Sequence, residues 1–354
     1  MTHKRWLKMF VLCCFTLLFL VALFNCLVDG LGLFRLHKGL KYAVANLLDE
    51  KMVAGPLGGY DERELQRMIV EQYPKRRDMI AIGSSRNMLL RRRFIHGDID
   101  FFNHSMAGAS LEDYTAIVGL YRIKGDLPRT VVLGIDPWVF NKNNGLPEWW
   151  KSLSRYYEKM VAEINGREIK VNVTQPNKYM QLINLEYTRA NYKFFRRGKK
   201  LYVTDTINID DFVREPDGSI HFPYHMRFKT DERTNSYPPE SMPISYLNHF
   251  ESLSGFELFG DFLRYLREKE VDVILLFLPF HPAAYKLFND NPQCQIVISL
   301  EKYLKDFALR NNIKVMGSYD PGRYQLGGKD FFDDTHGHEI VAKKVFQEYR
   351  WAKP

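Results

Sequence analysis

The fold is decided by one stretch of the chain, Asp78-Met79-Ile80-Ala81-Ile82-Gly83-Ser84-Ser85-Arg86. Its apolar run has no polar alternation, which is the pattern of a short strand buried on both faces of a parallel sheet. Gly83 ends the run and permits a tight turn. A helix that begins after this turn would present a serine hydroxyl beside unpaired backbone N–H groups, which favour a developing anion.

Strand and helix patterns alternate along the rest of the domain. Ser110 and Asp113 are spaced to cap a helix. The predicted strands are 100–103, 130–135, 271–278 and 313–316, and the predicted helices start at 110 or span 256–269, 295–310 and about 336–351. This βαβ repetition predicts an α/β fold with a three-layer, doubly wound, mainly parallel sheet, whose sites lie at the carboxyl ends of the strands.

Two segments depart from this rhythm. Segment 29–76 has periodic apolar positions interrupted by Gly55-Pro56 and Gly58-Gly59, which predicts a juxtamembrane helix, a loop and a second helix. From about 141 to 243 the chain is rich in Tyr, Asn, Lys, Arg and Pro, and only short pieces such as 201–203 resemble strands. We therefore predict one domain over 77–354 that carries a long insertion at about 141–243.

The N-terminal segment has the composition of a membrane anchor. No charged residue occurs from 9 to 28, and about 20 apolar residues cross a bilayer as a helix. Lys4, Arg5 and Lys8 precede this run, so residues 1–8 are predicted to form a cytoplasmic tail and the domain to be periplasmic or on the cell surface. A cleaved signal peptide is the alternative, but the run exceeds its usual core length and no small-x-small site closes it.

Composition excludes several classes of protein. The soluble part contains one of the four cysteines, Cys294, so it has neither an internal disulfide nor a cysteine zinc cluster. Without Lys4, Arg5 and Lys8, about +5 of the net charge of +8 remains, which is too diffuse to identify a partner. An exported domain is not expected to bind nucleic acid. The lipid bilayer is the expected partner of residues 9–28.

A second polar stretch, Asp333-Asp334-Thr335-His336, precedes the last predicted helix. A serine becomes a nucleophile when a histidine removes its proton, and a carboxylate holds that histidine in one tautomer. Each stretch also has a simpler interpretation, since Gly-Ser-Ser often forms a turn with a helix cap and Asp333 or Thr335 could cap the last helix. A metal site is a third alternative, because Asp334, His336, His338 and Glu339 are close in sequence.

Together these blocks resemble the SGNH (GDSL-type) hydrolases and acyltransferases. That family has a serine block after the first strand, a glycine block after the second, a Gly-x-Asn-Asp block after the third and an Asp-x-x-His block before the last helix. The corresponding blocks here are Gly83-Ser84-Ser85, Asn103-His104-Ser105-Met106-Ala107-Gly108, Gly134-Ile135-Asp136 and Asp333 to His336.

The resemblance implies a role for each residue of these blocks. Ser85 would be the nucleophile, with Ser84 as the alternative, His336 the base and Asp333 its orienting carboxylate. The backbone N–H groups of Ser85 and Gly108 would bind the oxyanion, and further residues would line the site, namely Arg86, Asn103 and His281. Asp136 stands where the family has asparagine, and an ionised carboxylate cannot donate a hydrogen bond to an oxyanion.

The anchor and the Gly-Ser-Ser-Arg turn are similar to membrane-anchored SGNH-like proteins that assist O-acylation of surface polysaccharides. This resemblance implies a serine esterase or O-acyltransferase that acts on a cell-surface glycan without a metal or cofactor. The alternative is a non-catalytic glycan-binding or scaffold partner of a membrane-bound O-acyltransferase. Trp149 and Trp150 are predicted to line a glycan groove in the insertion, unless these aromatic residues only build a small core of their own.

Overall fold

The structure, a computed structural model, describes residues 3–30, 34, 38–56, 60–172, 178–197, 201–228 and 241–348. The helices of this part are α1 His3–Val28, α2 Lys38–Leu48, α3 Glu62–Gln72, α4 Leu111–Lys124, α5 Ser154–Asn165, α6 Leu185–Arg197, α7 Tyr224–Arg227, α8 Phe256–Glu268, α9 Pro282–Asp290, α10 Ile296–Arg310 and α11 Glu339–Glu348. The strands are β1 Met52–Gly55, β2 Met79–Ile82, β3 Phe101–Asn103, β4 Thr130–Gly134, β5 Tyr202–Thr204, β6 Phe212–Arg214, β7 Ile220–His221, β8 Asp272–Phe277 and β9 Lys314–Gly317.

The larger sheet has five parallel strands in the order β3-β2-β4-β8-β9. Ile80 of β2 pairs with Phe102 of β3 on one side and with Val131 of β4 on the other. This order corresponds to the 2-1-3-4-5 arrangement of a doubly wound sheet, in which ligands bind at the carboxyl ends of the strands where the winding direction reverses. The predicted α/β class and parallel sheet are confirmed, and this reversal falls between β2 and β4.

Alternate residues of the strands belong to two cores, one on each face of the sheet. Ile80, Val131 and Leu275 face a core that includes side chains of α4, α8 and α10. Ala81 and Val132 belong to the opposite core, which includes side chains of α11 and of the segment after Ser85. Because both faces are covered, the strands read as continuous apolar runs.

Segment 29–76 and the insertion share a second sheet that the sequence did not predict. Its order is β5-β1-β6-β7, and β1 pairs antiparallel with both β5 and β6. Segment 29–76 is therefore not wholly helical, because Met52–Gly55 between α2 and α3 is a strand. Four residues give too short a run to show strand alternation, and the partners lie about 150 residues away.

Helix α1 is long and apolar enough to cross a membrane. A signal sequence can have the same length and composition. Most predicted elements agree with the observed bounds within one or two residues, but the last helix begins at Glu339 rather than near residue 336. Its predicted end near Trp351 lies outside the described residues, as do parts of segment 29–76 and of the insertion. Helix α9 was not predicted, and neither were helices α5, α6 and α7 of the insertion, for which the sequence indicated only short strand-like pieces.

Candidate active site

The serine turn directly follows β2 at the carboxyl edge of the parallel sheet. Ser84 caps the short helical turn 85–87, because its Oγ accepts a hydrogen bond from the Arg86 backbone N–H at 3.2 Å. Asn87 packs so tightly against this turn that a Cβ on Gly83 would lie 2.4 Å from its side chain. Glycine is therefore required there, and the turn leaves Ser85 as the partly exposed serine while Ser84 is buried.

Ser85, His336 and Asp333 form a continuous hydrogen-bonded chain. Ser85 Oγ lies 2.8 Å from His336 Nε2, and His336 Nδ1 lies 3.0 Å from Asp333 Oδ2. If Nδ1 donates its proton to Asp333, Nε2 carries the lone pair that accepts the serine hydroxyl. The arrangement is that of a nucleophile, a base and an orienting carboxylate. The structure thus brings together the three residues predicted from the two polar stretches.

Asp333 also organises the loop that carries the histidine. Its Oδ1 accepts hydrogen bonds from the backbone N–H groups of Thr335 and His336, at 2.8 and 2.7 Å. Burial alone would raise the pKa of Asp333, but the hydrogen bonds and charge of His336, with these backbone N–H groups, lower its pKa to about 2. The carboxylate therefore stays ionised at neutral pH and can stabilise a histidinium.

The resemblance to the SGNH hydrolases assigns two backbone N–H groups, those of Ser85 and Gly108, to the oxyanion. Within the described residues, neither the Ser85 N–H nor the Gly108 N–H has a hydrogen-bond acceptor. Gly108 has φ +54°, a left-handed conformation that favours glycine. A Cβ at this position would also lie 2.7 Å from the Trp149 ring. Conformation and crowding both require glycine at this turn.

Asp136 forms a buried ion pair with Arg86. The Arg86 Nη1 lies 2.7 Å from Asp136 Oδ1, and each side chain is 1% exposed. The same guanidinium donates to the backbone carbonyls of Leu278, Pro279 and Thr335, and it lies 3.7 Å above the Phe280 ring. Arg86 therefore connects the serine turn to the end of β8 and to the histidine loop.

Asn103 and His281 were also predicted to line the site, and their side chains make contacts that support the surrounding backbone. Asn103 donates to the backbone carbonyls of Asn87 and Leu90 and accepts from the Ser105 N–H, so its amide supports the serine turn from behind. His281 caps α9 through its Nδ1, which accepts from the Ala283 N–H at 3.1 Å, and its ring packs on Phe331. Each side chain is at most 2% exposed.

The two insertion tryptophans differ in their surroundings. Trp149 is 44% exposed and packs against Gly108, with the Arg63 guanidinium 5.4 Å from its ring. Trp150 instead packs edge-on against Tyr157 of α5, with ring centroids 5.1 Å apart. Trp149 therefore lies beside the glycine turn of the site, whereas Trp150 makes a packing contact.

Sequence reasoning missed the residues that hold the glycine turn. The Ala107 N–H donates to Glu62 Oε2 at 2.8 Å, and Arg63 donates to the Ala107 carbonyl at 3.0 Å. Arg63 is itself fixed by a two-point ion pair with Asp113 of α4. These are the first residues of α3, which belong to the segment predicted to be juxtamembrane. No motif marks them, because an acidic residue at a helix start is common.

A cavity of about 520 Å³ opens next to the histidine loop. Phe222 lines it and packs against both Phe332 and the His336 ring, with centroid distances of 4.7 and 6.1 Å. The lining combines apolar side chains with basic ones, among them Arg227 and Lys329. No group of three or more metal-binding side chains is found in the described part of the chain.

No protein-family model matches the chain, and no curated protein matches it. Among solved structures, it is similar to a protein of Bacteroides fragilis NCTC 9343 described as a "putative acylhydrolase". The two are 12% identical with a TM-score of 0.35, and the match covers 80% of this chain and 92% of the other. A TM-score this low does not establish a common fold. The fold rests on the strand order, and the site rests on its own geometry.

Proposed function

We propose that the chain is a membrane-anchored SGNH-type serine esterase or O-acyltransferase that modifies a cell-surface polysaccharide outside the cytoplasm. The observation that carries the proposal is the 2.8 Å contact between Ser85 Oγ and His336 Nε2, with Asp333 on the other ring nitrogen. A serine with this pair of partners is poised for nucleophilic catalysis. The exported location is supported by Lys4, Arg5 and Lys8 ahead of the apolar helix.

The reaction proceeds through an acyl-serine. Ser85 Oγ attacks the ester carbonyl carbon as its proton passes to His336 Nε2, and the carbonyl oxygen becomes an oxyanion. The N–H groups of Ser85 and Gly108 stabilise that oxyanion. The tetrahedral intermediate collapses, and the departing alcohol takes the proton from His336. An acceptor hydroxyl then repeats these steps on the acyl-serine, giving hydrolysis when the acceptor is water and transfer when it is a sugar.

The charge of Asp136 does not favour the non-catalytic alternative. Its carboxylate is paired with Arg86 through Oδ1, so its negative charge is compensated. The missing asparagine removes one oxyanion donor compared with the family, and loss of one such donor costs roughly 100- to 1000-fold in rate. A slow enzyme is expected, with the two backbone N–H groups as its oxyanion donors.

A glycan acceptor is supported by the surroundings of the glycine turn. Trp149 is partly exposed next to Gly108, and an aromatic face flanked by polar groups suits a sugar ring. Arg63 lies against this ring and is itself neutralised by Asp113. We therefore propose that a sugar ring of the acceptor packs on Trp149.

Covalent labelling tests the proposal. A fluorophosphonate should label the wild-type protein and Ser84→Ala but not Ser85→Ala, because Ser84 Oγ is engaged as a helix cap. Ser85→Ala and His336→Ala should each abolish turnover of a small acetyl ester at an almost unchanged melting temperature. The double variant should be little worse than either single one, since the members of a triad act as a unit.

Wild-type protein that reacts with neither the ester nor the fluorophosphonate would contradict catalysis and leave the scaffold function. Labelling that survives Ser85→Ala and disappears in Ser84→Ala would move the nucleophile to the other serine.

A further inference from the structure

Part of the insertion is attached to the end of the apolar helix α1. The Asn25 side chain of α1 donates to the Leu182 carbonyl at 2.8 Å and to Thr188 Oγ1 at 2.7 Å. Asn191 donates back to Asn25 Oδ1 at 3.0 Å. Just beyond the helix, Tyr187 donates to Asp29 at 2.7 Å. These bonds satisfy the one buried polar side chain of α1 and fix α6 against it.

This attachment also fixes the depth of the insertion residues relative to a bilayer. The uncharged run 9–28 is about 30 Å long as a helix, which matches the hydrocarbon thickness of a membrane. Asn25 lies three residues before the end of that run, or about 4.5 Å along the helix axis. Its partners Leu182, Thr188 and Asn191 must lie at the same level, which is the boundary between acyl chains and headgroups.

The insertion exposes large apolar side chains at this level. In α6, Leu185 and Tyr192 are seven residues apart and share a face with Phe195, and the three are 63%, 53% and 66% exposed. The preceding turn adds three more that are at least half exposed, Tyr179, Met180 and Ile183. In water such a patch would be unfavourable, and in soluble proteins apolar patches of this kind mark interaction surfaces.

Basic side chains accompany the apolar ones. Lys193 and Arg196 of α6 are exposed, and Arg189 is exposed in an ion pair with Glu186. A helix with aromatic and aliphatic residues on one side and Lys or Arg beside them is typical of peptides that lie in the membrane interface. Tyrosine is also enriched at this depth, since its ring is apolar and its hydroxyl is polar.

We infer that residues 179–195 form a second membrane contact, in which the exposed face of α6 and the turn before it lie in the extracytoplasmic interface of the bilayer around α1. The lipid surface is the occupant of this face because the hydrogen bonds to Asn25 hold it at the membrane boundary. The inference rests on the membrane anchor proposed above and is independent of the catalytic activity. Two contacts hold the domain in a fixed orientation, whereas a single helix would leave it free to tilt.

Site-directed spin labelling of the full chain tests this contact. Single cysteines are introduced at Leu185 or Phe195 after replacing the four native cysteines, and the labelled protein is reconstituted in nanodiscs of phosphatidylcholine and phosphatidylglycerol. Labels at both positions should collide with oxygen, which partitions into lipid, several-fold more than with a water-soluble nickel chelate. Leu309→Cys on α10 is the matched control, because Leu309 is 81% exposed and lies outside this segment. Its label should show the opposite preference.

Leu23→Cys, on the exposed side of α1, reports on the anchor itself. If the label at 23 is in lipid while those at 185 and 195 behave like the label at 309, the second contact is refuted and the anchor stands. If the label at 23 is also in water, the anchor fails as well. Low accessibility to both reagents at 185 and 195 would indicate a protein contact, such as a second copy, and would also overturn the inference.

Discussion

Replacing Asp136 with asparagine restores the residue type of the SGNH pattern, yet we expect it to damage this protein. In the wild type, Asp136 compensates the charge of Arg86. Both side chains are buried, and Arg86 Nη1 lies 2.7 Å from Asp136 Oδ1. The substitution keeps the size of the side chain but leaves the guanidinium charge uncompensated in the interior. Arg86 would retain the Leu278, Pro279 and Thr335 carbonyls and the Phe280 ring.

The magnitude follows from the burial and from these remaining contacts. Breaking a buried ion pair by removing one partner costs about 3–5 kcal/mol. The three carbonyls and the ring still solvate Arg86, so the lower end of the range, ~3 kcal/mol, is expected. With an unfolding entropy of roughly 2 cal/mol/K per residue over a domain of this size, that loss lowers the melting temperature by about 5 °C.

Activity should fall in Asp136→Asn as well, because Arg86 links the serine turn to the Thr335 carbonyl beside His336. The assay measures thermal unfolding and small-ester turnover for the wild type, Asp136→Asn, Arg86→Leu and the double variant. The double variant should lose less stability than the two single losses added together, since it leaves neither charge unpaired. An Asp136→Asn variant that is as stable as the wild type and turns over ester faster would refute this reasoning, because the carboxylate would then be repelling the oxyanion.

Three further predictions concern the membrane side of the domain, the groove and the pH dependence. Protease added from the extracytoplasmic side should remove a C-terminal tag, and protection of the tag would reverse the topology. Trp149→Ala should reduce glycan transfer while small-ester turnover survives, because Trp149 lies beside Gly108. Trp150→Ala should instead lower the melting temperature, because it removes the packing contact with Tyr157. The same phenotype in both variants would contradict the groove. Asp333 has a folded pKa of about 2, below its ordinary value of ~3.9, so its stabilisation should be complete above pH ~4 and lost as pH falls to ~2. Melting curves of Asp333→Asn should lack this loss, and identical curves for the variant and the wild type would contradict it.

The parallel sheet and the contacts of His336 with Ser85 and Asp333 could be predicted because their signals are local. Each central strand is a short apolar run, and the polar stretches at 83–86 and 333–336 directly follow or precede predicted elements. In a doubly wound sheet all these ends meet at one edge, so topology brings together residues that lie 251 apart in the chain, as in the contact between Ser85 and His336.

The contacts that support the site could not be predicted, since they depend on which charged side chains meet in space. In the sequence, Asp136 indicated only that an oxyanion donor is missing. The structure is needed to show that Arg86 neutralises its carboxylate. Glu62 and Arg63 hold the Ala107 backbone from a segment that has no motif connecting it to the site. The strand β1 escaped detection for a similar reason, since its partners β5 and β6 lie in the insertion.

The composition of the insertion did not distinguish the different roles that its parts have in the structure. It is rich in aromatic and basic residues throughout, but its parts occupy three different surroundings. Trp149 lies beside Gly108, the strands from 202 to 221 extend the sheet of β1, and α6 packs on the end of α1. Aromatic rings flanked by Lys and Arg suit a glycan, a small core and a membrane interface alike, because all three combine an apolar surface with polar groups. Only the neighbour of each ring distinguishes them, so the variants that test the groove, the packing and the lipid contact must be made at separate residues.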